Sequence, residues 1–168
     1  MPLSMYQASV PVFLRGLNGL STVLDKAMAY VAERGLDPNA LLQARLYPDM
    51  FALTRQVQIA ADFAKGAAGR LAGEDFPVYP DDETSFEALK ARVANTVAYL
   101  ETLTPAQIDG SEERDIALVR RGETSVVKGQ TYLLDQAMPN FYFHTAAAYA
   151  ILRHNGVVVG KRDFLGAS

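Results

Sequence analysis

Residues 4–35 read SMYQASVPVFLRGLNGLSTVLDKAMAYVAERG, and the apolar side chains in this stretch follow a helical period. They recur alternately four and three positions apart, at Tyr6, Val10, Phe13, Leu17, Leu20, Leu24, Ala27 and Val31. This spacing is typical of a helix that packs lengthwise against other helices. Ser4 with Gln7 predicts a capping box at its start, and Gly35 is a suitable end. Pro11 predicts a kink in the first turns, or a later start.

A second apolar stripe predicts a helix that begins near Pro48, where proline suits the first helical position. Its members are Met50, Leu53, Val57, Ala60, Ala64, Ala67 and Leu71. A third helix follows a predicted capping box formed by Thr84 with Glu87. A fourth helix is predicted over residues 131–154, and it is apolar on nearly all sides. Its core stripe is Leu134, Met138, Phe141, Thr145, Ala148 and Leu152.

Between helices three and four lies the one strand-like segment of the sequence. Residues 116–120 and 124–128 flank Arg121-Gly122, which predicts a small β-hairpin. Four long helices with connections of mixed length predict an all-α four-helix bundle, with this short hairpin between the last two helices.

The composition excludes several classes of functional site. The chain has 168 residues, so we expect a single domain over residues 1–168. It has no cysteine, which excludes disulfides, thiolate metal sites, cysteine nucleophiles and iron–sulfur clusters. Its net charge is −3, which predicts no basic surface for nucleic acid or an anionic membrane. The N-terminal residues lack a signal-peptide pattern, so we expect a soluble, cytoplasmic protein.

One polar cluster is predicted inside the bundle. His144 lies one helical turn after Asn140, so the two side chains share a face of helix four. Pro139 should bend the helix beside this pair. Helix two offers three polar partners, namely Gln56, Gln58 and Asp62. If helices two and four face each other, these side chains and His144 form a candidate site.

Two readings of this cluster remain open. In one, His144 is a buried histidine whose ring nitrogens are satisfied by neighbouring amides. In the other it belongs to a ligand or metal site, although one imidazole with amides is a weak metal-binding set. A second group, Asp81, Asp82 and Glu83, could bind a cation, but a solvated acidic loop is the favoured interpretation.

Several segments resemble a known family. They are Met5-Tyr6, residues 43–50 (QARLYPDM), 139–144 (PNFYFH), 152–156 (LRHNG) and 160–165 (GKRDFL). Together they resemble an uncharacterised bacterial family of unknown function that is grouped with the DinB/YfiT-like four-helix bundles. The resemblance covers nearly the whole chain, and it implies the DinB-like fold.

The resemblance also implies a metal site and a departure from it. DinB-like proteins commonly bind a divalent metal through three histidines, one on helix two and an HxxxH pair on helix four. Some relatives are metal-dependent thiol transferases or isomerases. In this chain the pair corresponds to Asn140 and His144, and the helix-two position falls at or near Gln58. Because amide oxygens are poor ligands for zinc or nickel, the resemblance implies a degenerate metal site.

Three functional hypotheses follow. The first is a bundle that binds a small molecule between helices two and four, with no expected cofactor; Asn140, Gln56, Gln58 and Asp62 would contact this ligand. The second is a metal-dependent thiol transferase or isomerase, in which His144 is the catalytic base or the only imidazole ligand of a weakly bound divalent metal. The third is a structural dimer without a ligand.

The surface of helix four predicts a homodimer. Tyr142, Phe143 and Tyr149 point away from the core stripe, and the middle of the helix has almost no charge. Residues 157–165 could cover only one side of a helix this long. We therefore expect a second copy of the chain to cover the outer face of helix four.

Overall fold

The computed structural model describes residues 3–166, and of Arg120 it describes only the backbone. The first helix, α1, spans Met5–Arg34 and continues through Pro11. At its start the Ser4 hydroxyl accepts from the Gln7 N–H at 3.3 Å, and Gln7 Oε1 accepts from the Ser4 N–H at 3.2 Å. Gly35 ends the helix at a φ of 60°, which glycine adopts without steric cost. The predicted cap and the predicted end are both confirmed.

Four long helices form the bundle, as predicted from the sequence. The remaining elements, in chain order, are α2 (Asn39–Leu42), α3 (Leu53–Ala72), α4 (Phe86–Glu101), α5 (Pro105–Ile108), β1 (Asp115–Arg120), β2 (Glu123–Lys128), α6 (Gly129–Thr131), a π-helical turn (Tyr132–Ala137), α7 (Met138–His154) and α8 (Lys161–Phe164). Helices two, three and four of the sequence pattern correspond to α3, α4, and the π-helical turn with α7. Within residues 3–166, no helix has the length and apolarity that crossing a bilayer requires.

The predicted hairpin is present. Strands β1 and β2 pair antiparallel, with Ile116 opposite Val127. Arg121 and Gly122 form the turn at φ values of 52° and 83°, as a two-residue hairpin turn of this kind requires. Ile116 and Leu118 are buried, so one face of β1 packs against the bundle.

Two predicted helix starts are wrong. Residues 43–52 form turns, in which the Met50 N–H donates to the Tyr47 carbonyl, and α3 begins at Leu53 instead of near Pro48. Helix α4 is capped by Ser85, whose hydroxyl accepts from the Ala88 N–H at 3.1 Å. The predicted box of Thr84 with Glu87 therefore does not form, because the neighbouring serine supplies the capping oxygen.

The π-helical turn shifts the register of the fourth bundle helix. A π turn accommodates one more residue per hydrogen-bonded ring than an α turn. Leu133 is consequently buried, whereas Leu134, predicted in the core stripe, is 51% exposed. Pro139 follows directly, where it cannot donate to the preceding turn. From Phe141 onward the predicted stripe faces the core, as expected.

Helix α3 lies at the centre of the packing that positions the site. It packs against α7 and α4, while α1 packs against α4 and α7. Phe141 on α7 contacts Phe13 on α1 edge-to-face, with ring centroids 5.1 Å apart. The C-terminal segment covers part of this layer, because Val157 and Val159 are buried and Phe164 contacts Tyr149.

Candidate functional site

His144 is buried between α7 and α3. The residue is only 8% exposed, and its Nδ1 lies 2.7 Å from Gln56 Oε1. Gln56 Nε2 donates to the Phe51 carbonyl at 3.1 Å, which fixes the orientation of the amide. Because Oε1 can only accept, Nδ1 must carry the ring proton. The Nε2 atom of His144 is therefore the unprotonated nitrogen, with a lone pair available.

Two aromatic rings flank the imidazole. Phe63 of α3 stacks on it with a centroid distance of 6.1 Å and an angle of 15° between the ring planes. Phe143 meets it edge-to-face at 5.2 Å and is itself 56% exposed. Burial, with a smaller contribution from the nearby Arg55 charge, lowers the pKa of His144 below its usual value of 6.5. The imidazole is thus neutral near pH 7.

Asn140 does not join this group. Its Nδ2 donates to the Gln136 carbonyl at 2.7 Å, one turn earlier in the same helical segment. This is the nearest acceptor that a short amide side chain can reach in a helix. The hydrogen bonds of Gln58 and Asp62 also lead away from His144, to charged side chains of α4 and of the loop before it. Of the four expected partners, Gln56 contacts His144, and the other three bond to other groups.

Arg92 of α4 is the centre of this charged group, and its side chain is only 1% exposed. Its Nη1 donates to Glu83 Oε1 at 2.8 Å and to the Pro80 carbonyl at 3.0 Å. Its Nη2 lies 2.8 Å from Asp62 Oδ1 and 3.0 Å from Asp81 Oδ1. We call Arg92, Asp62, Asp81 and Glu83 the Arg92 cluster. It ties the loop of residues 74–85 to both α3 and α4.

The Arg92 cluster corrects the interpretation of a solvated acidic loop for Asp81 and Glu83, whereas Asp82 is exposed as expected. Glu83 is largely buried and also accepts from Gln58 Nε2 at 2.8 Å. Burial alone would favour the protonated form, but the hydrogen bonds from Arg92 and Gln58 hold the pKa of Glu83 below its usual range. At Asp81, hydrogen bonding to Arg55 overcomes burial in the same way and lowers the pKa.

The residues present do not fit the three-ligand metal site that the family resemblance implies. The Gln58 amide is held between Arg55, at 3.2 Å, and Glu83. The Asn140 amide bonds within its own helical segment, and Gln56 binds Nδ1 of His144. Within residues 3–166, no three side chains of histidine, aspartate or glutamate are grouped so that they could hold a metal ion. Two of the three implied positions therefore carry amides that are bonded to other partners.

Comparisons with known proteins agree with this fold. The profile of a family described as "Domain of unknown function (DUF1993)" matches residues 5–165. The chain is similar to the crystal structure of a DinB family member protein from Shewanella denitrificans, with 39% identity over 97% of this chain and 92% of that chain, at a TM-score of 0.88. No curated protein matches the chain. The resemblance to DinB-like bundles is confirmed, and the chain belongs to the DUF1993 family.

Proposed function

We propose that this protein binds a small molecule at the seam between α3 and α7, with the neutral imidazole of His144 accepting a hydrogen bond at Nε2. The observation that carries this proposal is the bond from Nδ1 to Gln56, since it fixes the tautomer. Gln56 acts as the positioning residue for the imidazole. Asn140, Gln58 and Asp62 have other partners, so they are not part of this binding group.

The surroundings of His144 define the chemistry of the ligand. Phe63 and Phe143 offer ring faces and edges to a flat apolar group, and Phe143 reaches solvent. The neutral ring requires a hydrogen-bond donor on the ligand. A donor attached to a planar apolar body therefore suits the site. The metal-dependent thiol-transferase alternative lacks this kind of support, because two of its three implied ligand positions carry amides that are bonded to other partners.

Phenol is the probe that tests the proposal. We expect phenol to shift the Nε2 resonance of His144 saturably in nitrogen-15 NMR, because its hydroxyl donates and its ring fits beside the two phenylalanines. Toluene is the matched control, since it has the same ring without the donor. The second histidine, His154, lies in the last turn of α7 and should not respond. Equal responses to phenol and toluene, or no response to either, would contradict the proposal.

Metal analysis tests the same proposal independently. Protein purified without a chelator should contain far less than one equivalent of zinc, nickel or manganese, because a single imidazole provides too few ligands for tight binding. The measurement is elemental analysis by mass spectrometry with the His144→Ala variant alongside. A stoichiometric transition metal that disappears in His144→Ala would replace the ligand-binding proposal with the metal-dependent one.

We further propose that the protein is a homodimer through the outer face of α7. Tyr142 and Phe143 of α7 and Leu134 of the preceding π-helical turn are exposed, and we call these three side chains the apolar strip. Tyr149, the third ring expected on this face, instead contacts Phe164 of the chain's own C-terminal segment, so the proposed interface excludes it. A strip of exposed large apolar side chains on one helix favours a second copy as its cover.

Light scattering at micromolar concentration tests the homodimer. We expect a particle of twice the 18.3 kDa chain mass. Tyr142→Arg should shift the particle to the monomer, because a charge in the middle of the strip is costly to bury. Val158→Arg is the control, since Val158 is exposed outside the strip. A monomeric wild-type chain would overturn the homodimer proposal without bearing on the His144 site.

A further inference from the structure

A cleft of about 250 Å³ lies between α3, β1 and the π-helical turn. It is lined by Asp62, Phe63, Arg70, Leu118, Val119 and Tyr132. Phe63 and the two hairpin side chains give the cleft apolar walls. Asp62 and Arg70 give it one negative and one positive charge, and these two charges differ in whether they already have a partner.

The negative charge of Asp62 is compensated within the chain. Its Oδ1 lies 2.8 Å from Lys65 Nζ and 2.8 Å from Arg92 Nη2, and the side chains of both cations are almost fully buried. Asp62 also precedes Arg70 by eight positions on α3, which corresponds to about 12 Å of helix rise. Asp62 is therefore not a counter-ion of Arg70, and it is too far along the helix to repel strongly an anion bound there.

The guanidinium of Arg70 is held in place but has no acidic partner. Its Nη1 donates to the Gly66 carbonyl at 3.0 Å and lies 3.4 Å from the Tyr132 hydroxyl. Its central carbon lies 4.8 Å from the centre of the Phe76 ring, which braces the group from another side. No carboxylate of the described residues lies within ion-pair distance of Arg70. A preorganised, half-buried guanidinium without a carboxylate favours an anionic ligand.

Two glycines of α3 make room for this arrangement. A Cβ added at Gly66 would lie 2.6 Å from Arg70 Nη1, and a Cβ added at Gly69 would lie 2.6 Å from Phe76 Cδ1. A larger residue at position 66 would push the guanidinium away from the helix, and one at position 69 would displace the ring that braces it. Glycine weakens a helix relative to alanine, so α3 holds two weak helix formers where the guanidinium and its brace lie against it.

We propose that this cleft binds a small monocarboxylate with an apolar body, of the size of an aromatic acid with one ring. The carboxylate accepts from N–H groups of Arg70 that the bond to Gly66 does not use. Such charge-assisted hydrogen bonds are the strong class. The apolar body of the ligand packs against Phe63 and Leu118, where it leaves water.

The charge and size of the cleft favour a monocarboxylate over larger or more highly charged anions. Arg70 is the one cation in the lining, so a single negative charge is the one that it matches. Its planar guanidinium suits the two oxygens of a carboxylate. The volume of the cleft is just below the roughly 300–1,000 Å³ that is usual for small-molecule sites, which favours a ligand of one ring over a nucleotide.

Calorimetric titration of the full chain at pH 7 tests the assignment. Phenylacetate should bind saturably. Phenylacetamide, which has the same shape without the charge, should bind about tenfold more weakly, and so should acetate, which lacks the apolar body. This comparison uses the unmodified protein, so it does not depend on the folding of any variant. Ionised phenylacetate has no hydrogen-bond donor, so its binding is independent of the proposed His144 site, which requires one.

A variant of the arginine locates the carboxylate within the chain. Arg70→Gln should weaken binding of phenylacetate by about tenfold, since it removes the cation that receives the carboxylate. Arg45→Gln is the matched control and should leave the affinity unchanged. Arg45 also donates through Nη1 to a backbone carbonyl, that of Met50, but it does not line the cleft.

A pair of exposed valines on the hairpin tests the same site without altering Arg70. Val119 lines the cleft and is 72% exposed, so Val119→Glu should fold normally and weaken binding of phenylacetate by about fivefold through charge repulsion. Val126→Glu adds the same charge at a residue of β2 that is 59% exposed and does not line the cleft, so its effect should be smaller. The assignment is overturned if phenylacetate does not bind, if phenylacetamide binds equally well, or if neither Arg70→Gln nor Val119→Glu weakens binding.

Discussion

Arg92→Met should lower the free energy of unfolding by about 3–5 kcal/mol, the range for removing one partner of a buried ion pair. Glu83 would remain largely buried without its cation, and Asp62 and Asp81 would lose the same partner. The loop of residues 74–85 would also lose its attachment to α4 through the Pro80 carbonyl. Urea denaturation at pH 7 measures the change.

Lys90→Met is the matched control for Arg92→Met. Lys90 also belongs to α4 and also pairs with an aspartate, Asp25, but the two side chains are 30% and 56% exposed. Exposed ion pairs contribute about 0–1 kcal/mol, so this variant should differ little from the wild type. The double variant Arg92→Met with Glu83→Met should be less destabilised than Arg92→Met alone, because no buried charge at Glu83 then remains. Equal losses in the Lys90 and Arg92 variants would show that the Arg92 cluster is not a buried ionic core.

The same cluster predicts acid sensitivity. The folded-state pKa values of Glu83 and Asp81 lie below their ordinary values of 4.5 and 3.8, so the unfolded chain binds more protons in that range. The stabilisation is therefore complete above about pH 5 and is lost as the pH falls through the folded-state pKa values. Arg92→Met should flatten this part of the stability profile, because it removes the main partner that lowers the pKa of Glu83 and a second one that acts with Arg55 on Asp81.

Local patterns predicted the long helices well because the information that specifies them is local. The capping box of Ser4 with Gln7 and the end at Gly35 are set by residues within one turn of each other. The exposure of Leu134 was not predictable in this way. It depends on the π-helical turn, whose extra residue per turn leaves no mark in the apolar spacing.

The candidate site shows the same division. The sequence predicts that His144 meets a polar side chain of helix two if helices two and four face each other. The two helices do face each other, and Gln56 contacts His144. Asn140 was expected beside His144 because the two share a face, yet the Gln136 carbonyl lies within reach of its amide. The Arg92 cluster joins side chains up to 30 positions apart, between Asp62 and Arg92. Pairings over such separations are set by tertiary packing and have no local sequence signature.

Phe141→Ala is the second change with a large expected effect, a loss of about 3–5 kcal/mol in the free energy of unfolding. Phe141 is fully buried and its ring is held by Phe13 on α1. Its edge also fills the space above Gly16, where an added Cβ would lie 2.5 Å from Phe141 Cε1. Alanine would leave a cavity between two long helices that cannot collapse freely. Urea denaturation measures the loss.

Two further variants test whether the loss at Phe141 comes from its buried ring. In the Tyr142→Arg background, where the proposed interface is broken, Leu134→Ala should change stability by only about 0.5 kcal/mol, because this side chain is mostly exposed although the apolar spacing places it in the same stripe. Gly16→Ala alone should be destabilising, since its methyl group meets the Phe141 ring. In a Phe141→Leu background the ring edge is gone, so the Gly16→Ala cost should shrink or reverse. If the Leu134 and Phe141 variants lost equal stability, Leu134 would lie in the core, and the π-helical turn would not place it outside the apolar stripe.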